Sequence, residues 1–239
     1  MKNYFLKLVL CCTLASCSDD NASLQDKAGI ASVTSHSKVQ ERTSPENNAN
    51  PFDRAGKIHN QVLEAYYALP QAQDIPMAVD SLAKRNADFN TVKTPSFGST
   101  DPLRVNAIAG SSFTTFETAV GASQMSAAGK ASFIGFAEDL MLLYNTEDDY
   151  AVVHSFIISY EQDVLANALL AATDKKTILV STSISRHAAY VSKKKPKKNT
   201  DPEWDLMIGH LVGSVEGAGF GMAEAITLSL SVGITDNSN

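Results

Sequence analysis

The chain has 239 residues, with 20 Lys and Arg against 26 Asp and Glu and a net charge of −6. This balance predicts no nucleic-acid partner, because binding to phosphates depends on clustered basic side chains. The three cysteines (Cys11, Cys12 and Cys17) all lie at the N-terminus. The rest of the chain is therefore predicted to have no disulfide, no cysteine-ligated zinc and no cysteine nucleophile.

The N-terminus has the layout of a secretory signal peptide, with two lysines, the apolar run 8–15 and then small residues. This run is shorter than the roughly 20 apolar residues of a membrane-spanning helix, which favours cleavage over an uncleaved anchor. A cysteine directly after Leu14-Ala15-Ser16 resembles the lipobox of bacterial lipoproteins. The resemblance implies a signal peptide at 1–16 and a mature chain that begins at Cys17, acylated with fatty acids such as palmitate.

Polar residues dominate the segment 17–49, where no apolar period is sustained. Such a composition cannot bury enough surface to offset the entropy of ordering, so this segment is predicted to be a disordered, flexible tether. A regular pattern of apolar residues begins at Asn50, and residues 50–239 are predicted to form one domain. Its apolar spacings of three and four residues predict an all-α fold, a single bundle of about six helices.

The predicted helices have recognisable starts and stops. The first has Asn50 as its N-cap and Pro51 at the first helical position, and Thr146 and Thr173 are expected to cap two later helices. The β-branched residues of 177–184 would also suit a strand, but a lone strand would have no partner. The predicted helices cover residues 50–70, 76–87, 113–144 (with a break near Gly121), 146–171, 173–191 and 203–234.

Small residues recur every four positions along the last predicted helix, which opens with the capping box Thr200-Asp201-Pro202-Glu203. A glycine inside a helix costs about 1 kcal/mol relative to alanine, so a ladder of them indicates close approach of another backbone. We expect a tightly packed central helix. The alternative is a membrane-inserting or self-associating glycine zipper, against which the charges of Glu216 and Glu224 argue. The ladder consists of Gly209, Gly213, Gly217, Gly221, Ala225, Ser229 and Gly233.

Two segments carry a family resemblance. The segment Asn50-Pro51-Phe52-Asp53-Arg54-Ala55-Gly56-Lys57-Ile58-His59-Asn60 resembles the Asn-Pro-aromatic-Asp-x-x-Gly-x-x-His-Asn opening of predicted lipoproteins of the Bacteroidota. Ser185-Arg186-His187-Ala188-Ala189-Tyr190 and the small-residue helix after it resemble their C-terminal half. The resemblance spans about residues 50–230 and implies the helical fold and the location, with no catalytic residue carried over. In these lipoproteins, acids behind the lipidated cysteine resemble a signal for surface display, and Ser18-Asp19-Asp20-Asn21 has that form.

No catalytic or cofactor motif stands out. The sequence lacks a Gly-x-Ser-x-Gly elbow, a Walker loop, a dinucleotide fingerprint and the Glu-x-x-His motif of di-iron bundles. His59, His154, His187 and His210 fall on four different predicted helices and are not expected to cluster. We predict no cofactor and no metal, with a site made of His59 and His154 with Glu64 or Glu161 as the alternative.

Three further features have a structural and a functional interpretation. Residues 88–112 are the long irregular connection, with a helical turn expected at 102–109. Phe89, Phe97, Arg104 and Phe113 could form a binding loop there, and a passive connection is the alternative. The basic run 193–198 is expected to be a solvated loop, with a patch for anionic lipids or glycans beside Trp204 as the alternative. Arg186 is expected to pair with Glu138, Asp139 or Glu161.

These features predict a lipid-anchored protein of the cell envelope, held in the outer membrane through Cys17, with the cell surface and the periplasmic face as the two alternatives for the domain. We expect a non-enzymatic binding or structural module whose partner is a protein or glycan. The alternatives are a membrane-active or self-associating protein that uses the glycine ladder, and an enzyme whose site is scattered over several helices.

Overall fold

The computed structural model describes residues 43–70, 74–110, 112–194 and 203–236, with the backbone alone at 194 and 203–206. Within those ranges the chain forms helices and connecting turns and no strand, which confirms the predicted all-α fold. These ranges contain ten helices where about six were predicted. They are α1 (Arg54–Tyr67), α2 (Ile75–Arg85), α3 (Ala87–Val92), α4 (Pro102–Ile108), α5 (Phe113–Ala122), α6 (Ala127–Thr146), α7 (Tyr150–Ala166), α8 (Ala172–Lys194), α9 (Glu203–Ala218) and α10 (Met222–Asp236).

Local capping sets most of the helix starts. An oxygen on the residue before the helix accepts a hydrogen bond from a first-turn N–H, which satisfies a donor that has no partner inside the helix. The Ser112 hydroxyl and Thr115 form a reciprocal capping box at the start of α5. The other capping side chains are Asp74, Asn86, Asp101, Ser126 and Asp149.

Three predicted caps are wrong. The residues around Asn50 form a turn, in which Asn50 Oδ1 accepts a hydrogen bond from Phe52 N–H, and α1 begins only at Arg54. Thr146 is the last residue of α6, and Asp149 caps the next helix instead. Helix α8 begins at Ala172, one residue before Thr173, and it includes the residues that would also suit a strand.

Helices α8, α9 and α10 form the centre of the fold. Residues 178–189, 207–215 and 225–234 are buried without a break, so these helices are covered on all sides. One apolar cluster lies between α8, α9 and the helices α4 to α7, and a second lies between α8, α10 and the helices α1 to α3. Many central positions are serine or threonine rather than leucine, so the helix backbones approach closely.

The glycine ladder packs against itself. The predicted continuous helix over 203–234 is wrong, since the chain turns at Gly219–Gly221 and α10 runs back along α9. A Cβ added to Gly213 would lie 2.7 Å from Ser229 Cα, and one added to Gly217 would lie 2.5 Å from Ala225 Cα. The ladder is the seam of an antiparallel helical hairpin, and its predicted central, tightly packed position is what the structure has.

Candidate functional site

A buried ionic cluster lies where α1, α7 and α8 meet. The Arg186 guanidinium of α8 is fully buried, with Nη2 2.5 Å from Asp53 Oδ1 and 3.3 Å from Glu161 Oε1. Of the three partners predicted from sequence, Glu161 is confirmed, whereas Glu138 and Asp139 are exposed on α6. A buried charge requires such pairing, because its removal from water is costly.

Donors from the chain itself occupy both oxygens of Glu161. Asn47 Nδ2 lies 2.6 Å from Oε2, and Asn50 Nδ2 and Thr182 Oγ1 each lie 2.9 Å from Oε1. Asn47, which the sequence places in the tether, is buried at this cluster. The Glu161 carboxylate is therefore committed to holding the segment before α1 against α7 and α8.

Asp53 is the partly accessible carboxylate of the cluster. Burial by itself would raise the pKa of Asp53, but the His187 ring, whose Nε2 lies 3.6 Å from Oδ1, and the hydrogen bond and charge of Arg186 together lower the pKa below its usual value. Its side chain keeps 16 % exposure and lines a shallow depression together with Arg54, Lys57 and Asp88. An acid held ionised in this way stabilises the docking of α1 and is poorly suited to carry a proton at neutral pH.

The two segments that carry the family resemblance pack against each other. Gly56 N–H donates to Ser183 Oγ over 3.0 Å, and Asn60 Nδ2 donates to the His187 carbonyl over 2.9 Å. A Cβ at Gly56 would overlap the Ser183 carbonyl and the His187 ring, so the crossing of α1 and α8 requires a glycine. These motif residues have a structural role at this junction.

Two histidines meet in the core, contrary to the prediction that the histidines stay apart. His59 Nε2 of α1 lies 3.1 Å from His210 Nδ1 of α9, and both rings are buried. Burial lowers the pKa of His210 to about 4 and, together with the neighbouring His210, lowers the pKa of His59. The predicted alternative of a metal site gains no support, since no group of three suitable ligands occurs among the described residues.

Helix α4 lies at the helical turn expected at 102–109, and α3, which was not predicted, shortens the irregular connection to residues 93–101. The buried Asp80 of α2 fixes this loop, with its carboxylate accepting hydrogen bonds from Thr100 N and Oγ1 at 2.7 Å each. Phe97 packs edge-on against the buried Phe89, with ring centroids 5.3 Å apart. The loop therefore has a defined conformation on a rigid base.

A cavity of about 200 Å³ lies between this loop, α4 and the start of α10, and we call it the loop cavity. Arg104 of α4 stands at its side, with Nε 2.9 Å from Glu216 Oε2 and the guanidinium 4.9 Å from the Phe220 ring centroid. Phe220 is 67 % exposed, which is unusual for a phenylalanine. The lining consists of Ser96, Phe97, Gly98, Ser99, Thr100, Asp101, Arg104, Phe220, Glu224, Thr227 and Leu228.

The loop cavity contains an acceptor without a donor. Glu224 Oε2 is buried and has no hydrogen-bond partner among the described residues. An unsatisfied acceptor of this kind costs about 1–3 kcal/mol, so such atoms are uncommon in folded proteins. In contrast to Glu161, the Glu224 carboxylate, whose side chain lines the cavity, retains unused acceptor capacity at its buried Oε2.

The sequence identified part of this cavity. Phe97 and Arg104, predicted as a binding loop, line it together, whereas Phe89 and Phe113 pack into the two apolar clusters. Phe220 and Glu224 were missed because they lie more than a hundred residues further along the chain. The position of an aromatic residue between Gly219 and Gly221 was the signal for an exposed turn there.

Other predicted features lie at least partly outside the described residues. These are the signal peptide with Cys17, the acidic motif at 18–21, the tether up to residue 42 and the capping box at 200–203. The basic run 193–198 is described at Lys193, whose ammonium donates to the carbonyls of Tyr144 and Glu147 and thereby caps the end of α6.

Comparisons with known proteins give no family assignment. No protein-family model matches the chain, and neither a curated protein nor a solved structure matches it at a significant level. None of the described helices combines the length and the apolar character that a bilayer crossing demands.

Proposed function

We propose that the protein is a lipid-anchored module of the cell envelope, held in the outer membrane by acyl chains on Cys17. The observation that carries the proposal is Cys17 placed directly after Leu14-Ala15-Ser16 and a short apolar run. The family resemblance of 50–60 to lipoproteins of the Bacteroidota supports the same location. The acidic motif at 18–21 supports display of the domain on the outer face of the cell.

We also propose that the domain works by binding rather than by catalysis. The buried titratable groups at the α1–α8 junction are engaged with one another, with Arg186 between Asp53 and Glu161. The loop cavity has an exposed aromatic ring and an unsatisfied carboxylate oxygen on a rigid base. These are properties of a ligand-binding cavity, where a few polar groups fix the orientation of a ligand.

The self-associating alternative receives no support from the glycine ladder. A zipper between molecules requires the small residues to be accessible, but Gly213 and Gly217 lie against the backbone of α10 in the same chain. Opening this hairpin would expose most of the buried surface of α9 and α10. The ladder therefore fits internal packing better than association.

Membrane fractionation tests the anchor. The Cys17→Ala variant should move from the membrane to the soluble fraction or remain as an unprocessed precursor, and globomycin should cause the precursor to accumulate. The matched control is Cys12→Ala, which changes a cysteine inside the same leader and should leave fractionation unchanged. Membrane attachment of a processed Cys17→Ala protein would contradict the proposal.

Protease treatment of intact cells tests surface display. Added protease should degrade the wild-type domain, whereas a variant with Asp19→Asn and Asp20→Asn should become protected while still lipidated. Protection of the wild-type protein would place the domain on the periplasmic face instead.

A further inference from the structure

The groups that line the loop cavity have both signs of charge. Arg104 is positive and is paired with Glu216, while Asp101 and Glu224 bring two further carboxylates. Because Glu216 neutralises Arg104, the carboxylates of Asp101 and Glu224 leave the lining with a net negative charge, which disfavours an anionic ligand. The acceptors of these carboxylates and the donors of the Arg104 guanidinium favour a ligand that contains both hydrogen-bond donors and acceptors.

Hydroxyl groups meet this requirement, and the lining itself is rich in them. A hydroxyl donates one hydrogen bond and accepts others, so it can donate to the Glu224 carboxylate and accept from the Arg104 guanidinium. Asp101 already accepts from Leu103 N–H with Oδ1, and Thr100 is held by Asp80. Among the cavity carboxylates, Glu224 is the one with a buried oxygen, Oε2, that accepts no hydrogen bond from the described residues.

Aromatic rings provide the second kind of contact. Phe220 is exposed at the cavity, and the half-buried Phe97 also lines it. A saturated ring with hydroxyls around its rim presents C–H groups on its face, which pack against an aromatic ring with a gain in buried area. The volume of about 200 Å³ is below the range of typical drug-sized pockets, so one ring fits rather than several.

We propose that the loop cavity binds one neutral sugar residue, with Phe220 against its C–H face and Glu224 accepting hydrogen bonds from its hydroxyls. The residue is a free monosaccharide or the end of a longer glycan, which share this chemistry. This assignment rests on the proposal that the domain is a binding module, and it names the class of ligand.

Saturation-transfer NMR on the full-length chain in detergent is the test. The probes are glucose, galactose, mannose and N-acetylglucosamine, with glucosamine and glucuronate as the positively and negatively charged counterparts. We expect a neutral sugar to bind more tightly than either charged one. Methyl glycosides and immobilised oligosaccharides distinguish the two sources, since a glycan-end site binds these more tightly than the free sugar.

Two variants locate the binding. Phe220→Ala removes an exposed ring and should weaken sugar affinity by about tenfold without loss of the fold, and Glu224→Gln should weaken it by a similar factor. The control is Leu169→Ala, which removes an even more exposed apolar side chain between α7 and α8 and should leave affinity unchanged. Melting curves for each variant separate loss of binding from loss of fold.

Some outcomes overturn the proposal. They are the absence of binding to every neutral sugar, tighter binding of glucosamine or glucuronate, and wild-type affinity in folded Phe220→Ala. The proposed function fails separately. If Cys17→Ala leaves membrane attachment intact while neutral sugars bind, the anchor is wrong and the sugar site stands. If fractionation behaves as expected and no sugar binds, only the present inference is wrong.

Discussion

The α1–α8 junction and the loop cavity are both rich in charged side chains, yet they differ in what those side chains still lack. At the junction, Glu161 has donors on both oxygens and Arg186 lies between two carboxylates, while Arg186 Nε and Nη1 are buried without an acceptor among the described residues. In the loop cavity, Glu224 has an oxygen without a donor and Phe220 faces solvent. Unused hydrogen-bonding capacity thus occurs in both regions, and it indicates a binding site only where a ligand can enter.

Breaking the junction at its centre should have the largest effect. Arg186→Ala removes the guanidinium that pairs with the buried Glu161 and the partly buried Asp53, which should lower the free energy of unfolding by about 3–5 kcal/mol. The control is Arg54→Ala, since Arg54 pairs with Asp88 at 2.7 Å on the surface and should contribute about 0–1 kcal/mol. Urea denaturation measures both variants, and equal losses would show that the junction is not a special stabilising centre.

The histidine pair beside this junction should make stability depend on pH. The pKa of His210 is lowered from 6.5 to about 4 by burial, so the unfolded chain binds more protons and stability falls as pH decreases from 6.5 towards 4. Between about pH 7 and about pH 5 the expected loss is roughly 2 kcal/mol. Denaturation at these two pH values measures the loss of stability. The His210→Gln variant should show a smaller dependence of the free energy of unfolding on pH. A slope unchanged in His210→Gln would assign the dependence to other groups.

The α9–α10 seam carries the turn that presents Phe220, so overpacking it should disturb the loop cavity indirectly. Gly213→Ala places a methyl group 2.7 Å from Ser229 Cα and should cost about 1–3 kcal/mol. The matched control is Gly135→Ala in α6, where the added methyl meets nothing within 4 Å and should stabilise by about 0.5–1 kcal/mol. Melting temperatures that shift in the same direction for both variants would contradict the close approach of the α9 and α10 backbones.

The smallest effect is expected in the loop itself. Thr100→Val removes the hydroxyl that donates to Asp80 and should cost about 1 kcal/mol, with faster amide exchange confined to residues 96–101. Thr91→Val is the control, because the Thr91 hydroxyl makes an exposed bond to Asp88 three residues earlier and should change stability very little. If amide exchange in Thr100→Val became faster evenly over the whole domain, Asp80 would not be the residue that fixes the loop.

The sequence by itself determined the all-α class, several helix starts and the close packing of the glycine ladder. These features follow from local physics, since capping and apolar periodicity act within one or two helical turns. Ser112 illustrates this, because its hydroxyl and its capping partner lie three residues apart. The lipobox is likewise a short local pattern, and the anchor that it predicts stays a prediction.

The tertiary structure alone decided which distant residues meet. By its sequence alone, the segment Gly219–Gly221 could remain inside a helix or form a turn. The turn is favoured because it lets α9 and α10 bury surface against each other. The contact between His59 and His210, the two partners of Arg186 and the meeting of Arg104 with Phe220 join residues more than twenty positions apart. No local signal encodes such pairs, because their energies depend on how whole helices pack and on which charges are buried together.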